Sequence, residues 1–250
     1  MSGRTVKLMS VLVLFGAVVL GLFLAPCQVS SATLKKYAAL GDSIPHGIAP
    51  DDTGILDGSI TGYPDRLIVY LGSGHVLVKV AKDGSRTDDL IAQLNTVGGS
   101  VRNAVIGATN ITVCIGGNNE LHCASWPFES ITASTIACLD AGVADFAGDW
   151  PVILSTIRSL NATARLVVMT IYNPFPGDAW QYPILEARLN EIAAEIKDPS
   201  YRSLYGYYVA DVQRDFRGTF PFLSGDWFLY YWKVNKYTNI WLRDPHPTSA

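Results

Sequence analysis

The chain has 250 residues, a formal net charge of −3, and a composition that is 49% hydrophobic and 16% charged. That length suits one domain plus a leader, and the apolar fraction supports a sizeable core and excludes a disordered chain. The near-neutral balance, with no basic stripe along the sequence, excludes a dedicated nucleic-acid binder.

The N-terminus reads as an export signal over residues 1–32. Arg4 and Lys7 precede a long apolar run from Leu8 to Leu24, and Ser30 and Ala32 sit at the small-residue positions of a cut after Ala32. The alternative is an uncleaved membrane anchor, because the run is near the lower length for a span, about 17 residues. Leu24-Ala25-Pro26-Cys27 is similar to a bacterial lipoprotein box, although proline before the cysteine departs from it. Residues 33–250 are expected to form the domain proper.

The first strand is expected at Lys36–Leu40, an apolar run that breaks into Gly41-Asp42-Ser43-Ile44. A second, His75–Val80, is followed by Gly84. Thr87 to Leu94 carries a helix signature, with Thr87 as its cap and Asp88 and Asp89 in the first turn. A third strand, Asn110–Ile115, runs into Gly116-Gly117-Asn118-Asn119. Cys114 lies within that strand as a buried thiol. Cys123 and Cys138 flank a loop with Trp126 and Pro127 and are expected to pair, as export allows. No second cysteine or histidine pair has ligand spacing, so no metal is expected. The sequons at Asn110 and Asn161 matter only in a glycosylating source, and Asn110, at a strand start, is a poor acceptor.

Ala141–Leu160 is helical in pattern, with Pro151 expected to start a new helix or kink the old one. A fourth strand is expected at Arg165–Ile171, a helix at Pro183–Ile196 with one apolar face, and a fifth strand at Tyr207–Asp211. Short, continuously apolar strands alternating with helices predict a three-layer α/β/α domain around a parallel sheet. Ligands of such sheets bind beyond the carboxyl ends of the strands, where Ser43, Gly84 and Asn118 all fall.

Those residues suit acyl transfer. A serine hydroxyl is a weak nucleophile until a base removes its proton, and histidine suits that task near neutral pH. His46 lies in a Pro45-His46-Gly47 turn, His75 starts a strand, and His122 lies in the cysteine-bounded region; each reads as structural or cleft-lining. His246, in Asp244-Pro245-His246-Pro247, has an acid two residues before it and prolines that restrict its backbone. Asp244 is the candidate that orients the ring. The Ser43 N–H, the Gly84 N–H and the Asn118 amide are candidate oxyanion donors. Gly-Asp-Ser alone is ordinary turn chemistry, Gly-Gly-Asn-Asn alone is a loop, and Asp-Pro-His-Pro alone is a rigid turn. Their joint order at strand ends carries the reading. Asp42 is expected to shape the turn.

From Tyr37 to Ser249 the chain resembles the GDSL family of SGNH hydrolases, serine esterases and lipases on a flavodoxin-like fold. Gly41-Asp42-Ser43-Ile44 is similar to the block that carries the nucleophile, Gly84 to the second block's glycine, Gly116-Gly117-Asn118-Asn119 to the Gly-x-Asn-Asp block, and His246 to the last block's histidine. Tyr63-Pro64 and Tyr172-Asn173-Pro174 look like recurring features near the cleft. Asn119 stands where the family has aspartate. The last block is usually Asp-x-x-His, yet Arg243 holds that position here and Asp244 is one residue late. A backbone carbonyl in place of Asp244 would make the machine closer to a dyad. Relatives continue into a closing helix after the histidine, so the chain is expected to lack its C-terminal helix.

The resemblance implies an exported hydrolase of carboxylic esters, from lipids, acylated sugars or small alcohols, without cofactor, metal or obligate protein partner. Trp126, Phe128, Tyr172, Phe175 and Trp180 are expected either to line an acyl or sugar site or to pack the loops. An acyltransferase with the same site and a catalytically dead binding protein of the same fold are the alternatives. No phosphate-cradling loop after the first strand supports a nucleotide-binding protein.

Overall fold

The computed structural model describes residues 33–47, 62–125, 128–176 and 179–217. Five parallel strands, β1 (Lys35–Gly41), β2 (His75–Lys79), β3 (Asn110–Cys114), β4 (Arg165–Met169) and β5 (Tyr207–Ala210), form one sheet in the order β2-β1-β3-β4-β5. Helices cover it to give the three-layer α/β/α architecture. All five expected strands are present within a residue or two. Tyr37 to Leu40, Ile111, Val113, Leu166 and Val168 are buried in the sheet's centre. Apolar contact on both faces explains why these strands read as continuous runs instead of alternating ones.

The β1–β3 register aligns Gly41 with Cys114, so both strands end at the same level. Because β2 lies on one side of β1 and β3 on the other, the chain reverses its winding direction between β1 and β3. That topological switch leaves a crevice at the carboxyl ends.

The helices are α1 (Ser43–His46), α2 (Tyr63–Leu71), α3 (Thr87–Asn95), α4 (Ser100–Ile106), α5 (Gly117–Leu121), α6 (Ala133–Leu160), α7 (Tyr182–Lys197), α8 (Pro199–Tyr205) and α9 (Val212–Arg217). Two expectations need correction here. Pro151 neither ends nor restarts a helix: α6 runs through it for 28 residues. Leu139, Phe146, Trp150, Ile153, Leu154 and Ile157 form one buried stripe on α6, and their packing outweighs the hydrogen bond that proline forgoes. Thr87 is not the cap of α3. Arg86 is, with its N–H donating to Asp89 Oδ2 at 3.0 Å, and the Thr87 hydroxyl is committed elsewhere.

Asn161 ends α6. Its amide donates to the Val105 and Ala108 carbonyls at 2.8 Å each and its Oδ1 accepts from Ala164 N–H at 3.0 Å. A side chain so enclosed is a structural clasp and not a glycan acceptor. Among the described residues no helix is long and apolar enough to cross a membrane.

Candidate active site

The nucleophile turn begins with a steric demand. Gly41 closes β1 at φ +129°, and a Cβ there would stand 1.7 Å from the Cys114 carbonyl oxygen. Only glycine permits β1 to leave the sheet this close to β3. The Asp42 N–H then donates to Cys114 O at 3.2 Å, and Asp42 Oδ1 accepts from Ile44 N–H at 3.0 Å. Asp42 therefore caps α1, the turn-shaping part expected for it. Ser43 heads α1, and the turn is closed by Gly47, in the left-handed region, donating to Ser43 O at 2.9 Å. Ser43 is 7% exposed. Among the described residues nothing accepts from the Ser43 N–H or the Gly84 N–H.

Beneath the turn lies a buried hydroxyl cluster. Tyr63 OH donates to Thr112 Oγ1 at 3.0 Å, and Tyr37 OH lies 2.9 Å from the same oxygen. Burial pushes the Tyr63 phenol well above its ordinary value and Tyr37 up to about 12, so both stay protonated near neutrality. Burial, reinforced by the negative charge of Asp42, also raises Cys114, so this thiol is no competing nucleophile. Beside the cluster, Lys79 at the end of β2 reaches Asp65 Oδ2 at 2.9 Å and the His46 carbonyl at 3.3 Å. Asp65 Oδ2 in turn accepts from Gly62 N–H at 2.8 Å. One ammonium thus ties the far end of the nucleophile turn to the start of α2.

Two further strand-end loops meet this turn. The loop after β2 is fixed by Lys82 N–H donating to Gly41 O at 2.9 Å, and it carries Gly84 at φ +72° facing open space. The loop after β3 opens α5 at Gly116, whose φ of +115° again demands glycine, since a Cβ there would stand 2.7 Å from the Phe146 ring. A Cβ on Gly117 would lie 4.0 Å from Asp42 Oδ2, so α5 starts next to the nucleophile turn. Asn118 then spans to the second loop, its Nδ2 donating to Ser85 O at 3.0 Å. Ser43, Gly84 and Asn118 are thereby carried on three loops that hydrogen-bond to one another.

The next residues support Asn118 from below. Asn119 is 3% exposed; its Oδ1 accepts from Thr87 N–H at 3.2 Å and its Nδ2 donates to Thr87 Oγ1 at 2.8 Å. The Thr87 hydroxyl donates onward to Asp149 Oδ2 at 2.6 Å. Thr87 has one hydroxyl proton, and Asp149 takes it. An aspartate at 119 would face an oxygen with nothing left to donate, whereas the amide supplies its own proton. Asp149 thus accounts for asparagine where the family pattern has aspartate.

Glu120 is fully buried, and neither carboxylate oxygen has a hydrogen-bond partner among the described residues. Desolvation raises it to about 8, opposed by Arg188 and helped by Asp140 and Glu191. His122 follows, with Nδ1 2.9 Å from the Asn118 carbonyl, and the expected Cys123–Cys138 disulfide is present.

His246 and Asp244 lie outside the described residues, as do Trp126 and the 1–32 segment. Of the other aromatics, Phe128 and Phe175 are buried against each other edge-on at 5.9 Å, and Tyr172 stacks on Phe216 at 4.2 Å. These three pack the loops; Trp180 is 52% exposed. Asn173 anchors the loop after β4 by donating to Glu186 Oε2 at 3.0 Å and to the Tyr182 carbonyl at 3.1 Å. His46 ends α1, His75 starts β2 and His122 is exposed.

The profile of the GDSL-like Lipase/Acylhydrolase family matches residues 39–250. The chain belongs to that family. No curated protein matches this GDSL-like chain. Among solved structures it is similar to an extracellular lipase from Streptomyces rimosus, with 21% identity, a TM-score of 0.58, and coverage of 86% of this chain and 93% of that one. It is also similar to phospholipase A1 from Streptomyces albidoflavus NA297 (18% identity, TM-score 0.55, 72% and 80% covered). A third is the lipase Lip_vut3 from a goat rumen metagenome (19%, 0.58, 86% and 90%). At these identities the likeness establishes a common fold. Thr87, Asp149 and Lys79 give no sequence signal as supports of this GDSL site, because their partners lie 14 to 62 residues away.

Proposed function

We propose that this protein is an exported serine hydrolase that cleaves carboxylic esters through an acyl-enzyme on Ser43. His246 takes the Ser43 proton and returns it to the leaving alcohol, and Asp244 orients the imidazole. The carbonyl oxygen gains negative charge as the tetrahedral intermediate forms. The Ser43 N–H, the Gly84 N–H and the second Asn118 amide proton receive it. Water then attacks the acyl-enzyme by the same proton relay in reverse.

The observation that carries this reading is the linkage of the three loops by Lys82 N–H to Gly41 O and Asn118 Nδ2 to Ser85 O. Fixed donors are catalytically valuable because they need not reorganise as charge develops. Export is supported by the basic-then-apolar N-terminal sequence and by the disulfide.

The test is hydrolysis of p-nitrophenyl esters of graded acyl length by the full chain and by Ser43→Ala, His246→Ala and Asp244→Ala. The reading expects near-complete loss of kcat for the first two and a smaller loss for the third. Retained turnover in Ser43→Ala would overturn it. Added alcohol acceptors diverting the acyl group from water would move the assignment to an acyltransferase.

A further inference from the structure

The disulfide sits in a chemical setting that a structural staple does not require. His122 Nε2 lies 3.7 Å from Cys138 Sγ, and the donor atoms of His122, Cys123 and Cys138 all lie within 4.8 Å of one another. His122 Nδ1 lies 2.9 Å from the Asn118 carbonyl. A carbonyl only accepts, so Nδ1 carries the proton and the Nε2 lone pair is left directed toward the sulfurs. That is the arrangement of a metal-binding histidine, with one nitrogen fixed by a carbonyl and the other free to ligate. A tetrahedral zinc site with ordinary Zn–S and Zn–N lengths separates its donors by roughly 3.5 Å, close to the Nε2–Sγ spacing here. His122 is exposed and both cysteines are half-buried, so a reductant and an ion can reach them. The buried thiol of Cys114 lies elsewhere, inside β3.

We infer that opening the Cys123–Cys138 disulfide creates a binding site for one soft divalent cation of the zinc class, held by His122 Nε2, Cys123 Sγ and Cys138 Sγ, with a fourth position left for water. The electrons come from a dithiol. It gives two electrons and two protons to the S–S bond, which becomes two protein thiols, and is itself oxidised to a cyclic disulfide. The cation then displaces both thiol protons as it binds two thiolates and the neutral imidazole. The imidazole links this site to the loop that carries Asn118.

Cobalt(II) is the probe, because thiolate ligation gives it sulfur-to-metal charge-transfer absorption and tetrahedral geometry intensifies its visible bands. The full chain, reduced with a phosphine so that no small thiol competes, is titrated with cobalt(II). The inference expects one equivalent bound with both signatures, displacement by zinc, and no such spectrum from the oxidised protein. In the reduced protein, His122→Ala weakens binding by roughly tenfold or more, and Cys123→Ser removes the charge-transfer band. At one zinc concentration the Tm of the reduced wild type rises by more than that of reduced His122→Ala. An absent charge-transfer band in reduced, folded protein, or one indifferent to His122→Ala, would overturn the inference. So would a reduced chain that fails to fold both with and without zinc, since the site needs the α5–α6 geometry.

Discussion

The two walls of the candidate site are built by different means. The nucleophile wall, β1 into α1, is held mainly by glycine and by main-chain bonds: Gly41 against Cys114 O, Asp42 N–H to the same oxygen, Gly47 N–H to Ser43 O. The oxyanion wall, β3 into α5, has its own glycine at Gly116 but is otherwise held by side chains from distant parts of the chain. Asn119 reaches Thr87, Thr87 reaches Asp149, His122 returns to Asn118 O, and a disulfide ties Cys123 to α6. The first wall tolerates no side chain at its hinge. In the second, the Asn119–Thr87–Asp149 chain tolerates substitution only when a partner changes too.

The comparison is broken most severely at Gly41. Gly41→Ala places a methyl group inside the Cys114 carbonyl and forces a positive φ on alanine; a loss of about 4 kcal/mol or more is expected, seen as loss of the cooperative thermal transition. On the other wall, Asn118→Ala is expected to leave the fold intact and lower kcat by about 10²–10³, about 3–4 kcal/mol, with little change in KM. Steady-state kinetics on one ester decides that split.

Glu120 sharpens the contrast through pH. Its folded value of about 8 stands above the ordinary 4.5, so the buried acid is stable while neutral. That stability is complete below about pH 4.5 and is lost as pH rises through about 8. Glu120→Gln is expected to remove the loss, gaining several kcal/mol over wild type at alkaline pH and nothing at acid pH. Denaturant midpoints at both ends of the range measure it.

Asn119→Asp is expected to cost about 2 kcal/mol, because two carboxylates then compete for the single Thr87 proton. Asp149→Asn in the same chain should recover most of it, so a double-mutant cycle reads the coupling directly. The smallest effect is expected at Lys79. Lys79→Met frees the His46 end of the nucleophile turn and should lower kcat roughly tenfold, about 1.4 kcal/mol, with partial recovery in Lys79→Arg.

The same contrast explains what the sequence could reveal. The central strands β1, β3 and β4 were legible because burial makes them uninterrupted apolar runs, and the Gly-Asp-Ser and Gly-Gly-Asn-Asn blocks were legible as turn-forming residues at strand ends, although the Cys114 and Phe146 contacts that demand glycine there lie far along the chain. Cys123 and Cys138 were legible as a pair flanking one loop. Thr87 looked like a helix cap because threonine before two acids usually is one; only the fold reveals Asp149 taking its hydroxyl. Pro151 looked like a breaker because the pattern does not display how much of α6 is buried on either side. Lys79 and Glu120 gave no signal, since a charged residue's burial and partners depend on tertiary contacts.

The central claim is that Ser43 is an activated nucleophile, and intact-mass analysis after treatment with a fluorophosphonate tests it without any guess at the natural ester. The account predicts one covalent adduct per chain, absent from Ser43→Ala. Folded wild-type protein that takes up no adduct, or an adduct that persists in Ser43→Ala, would contradict it.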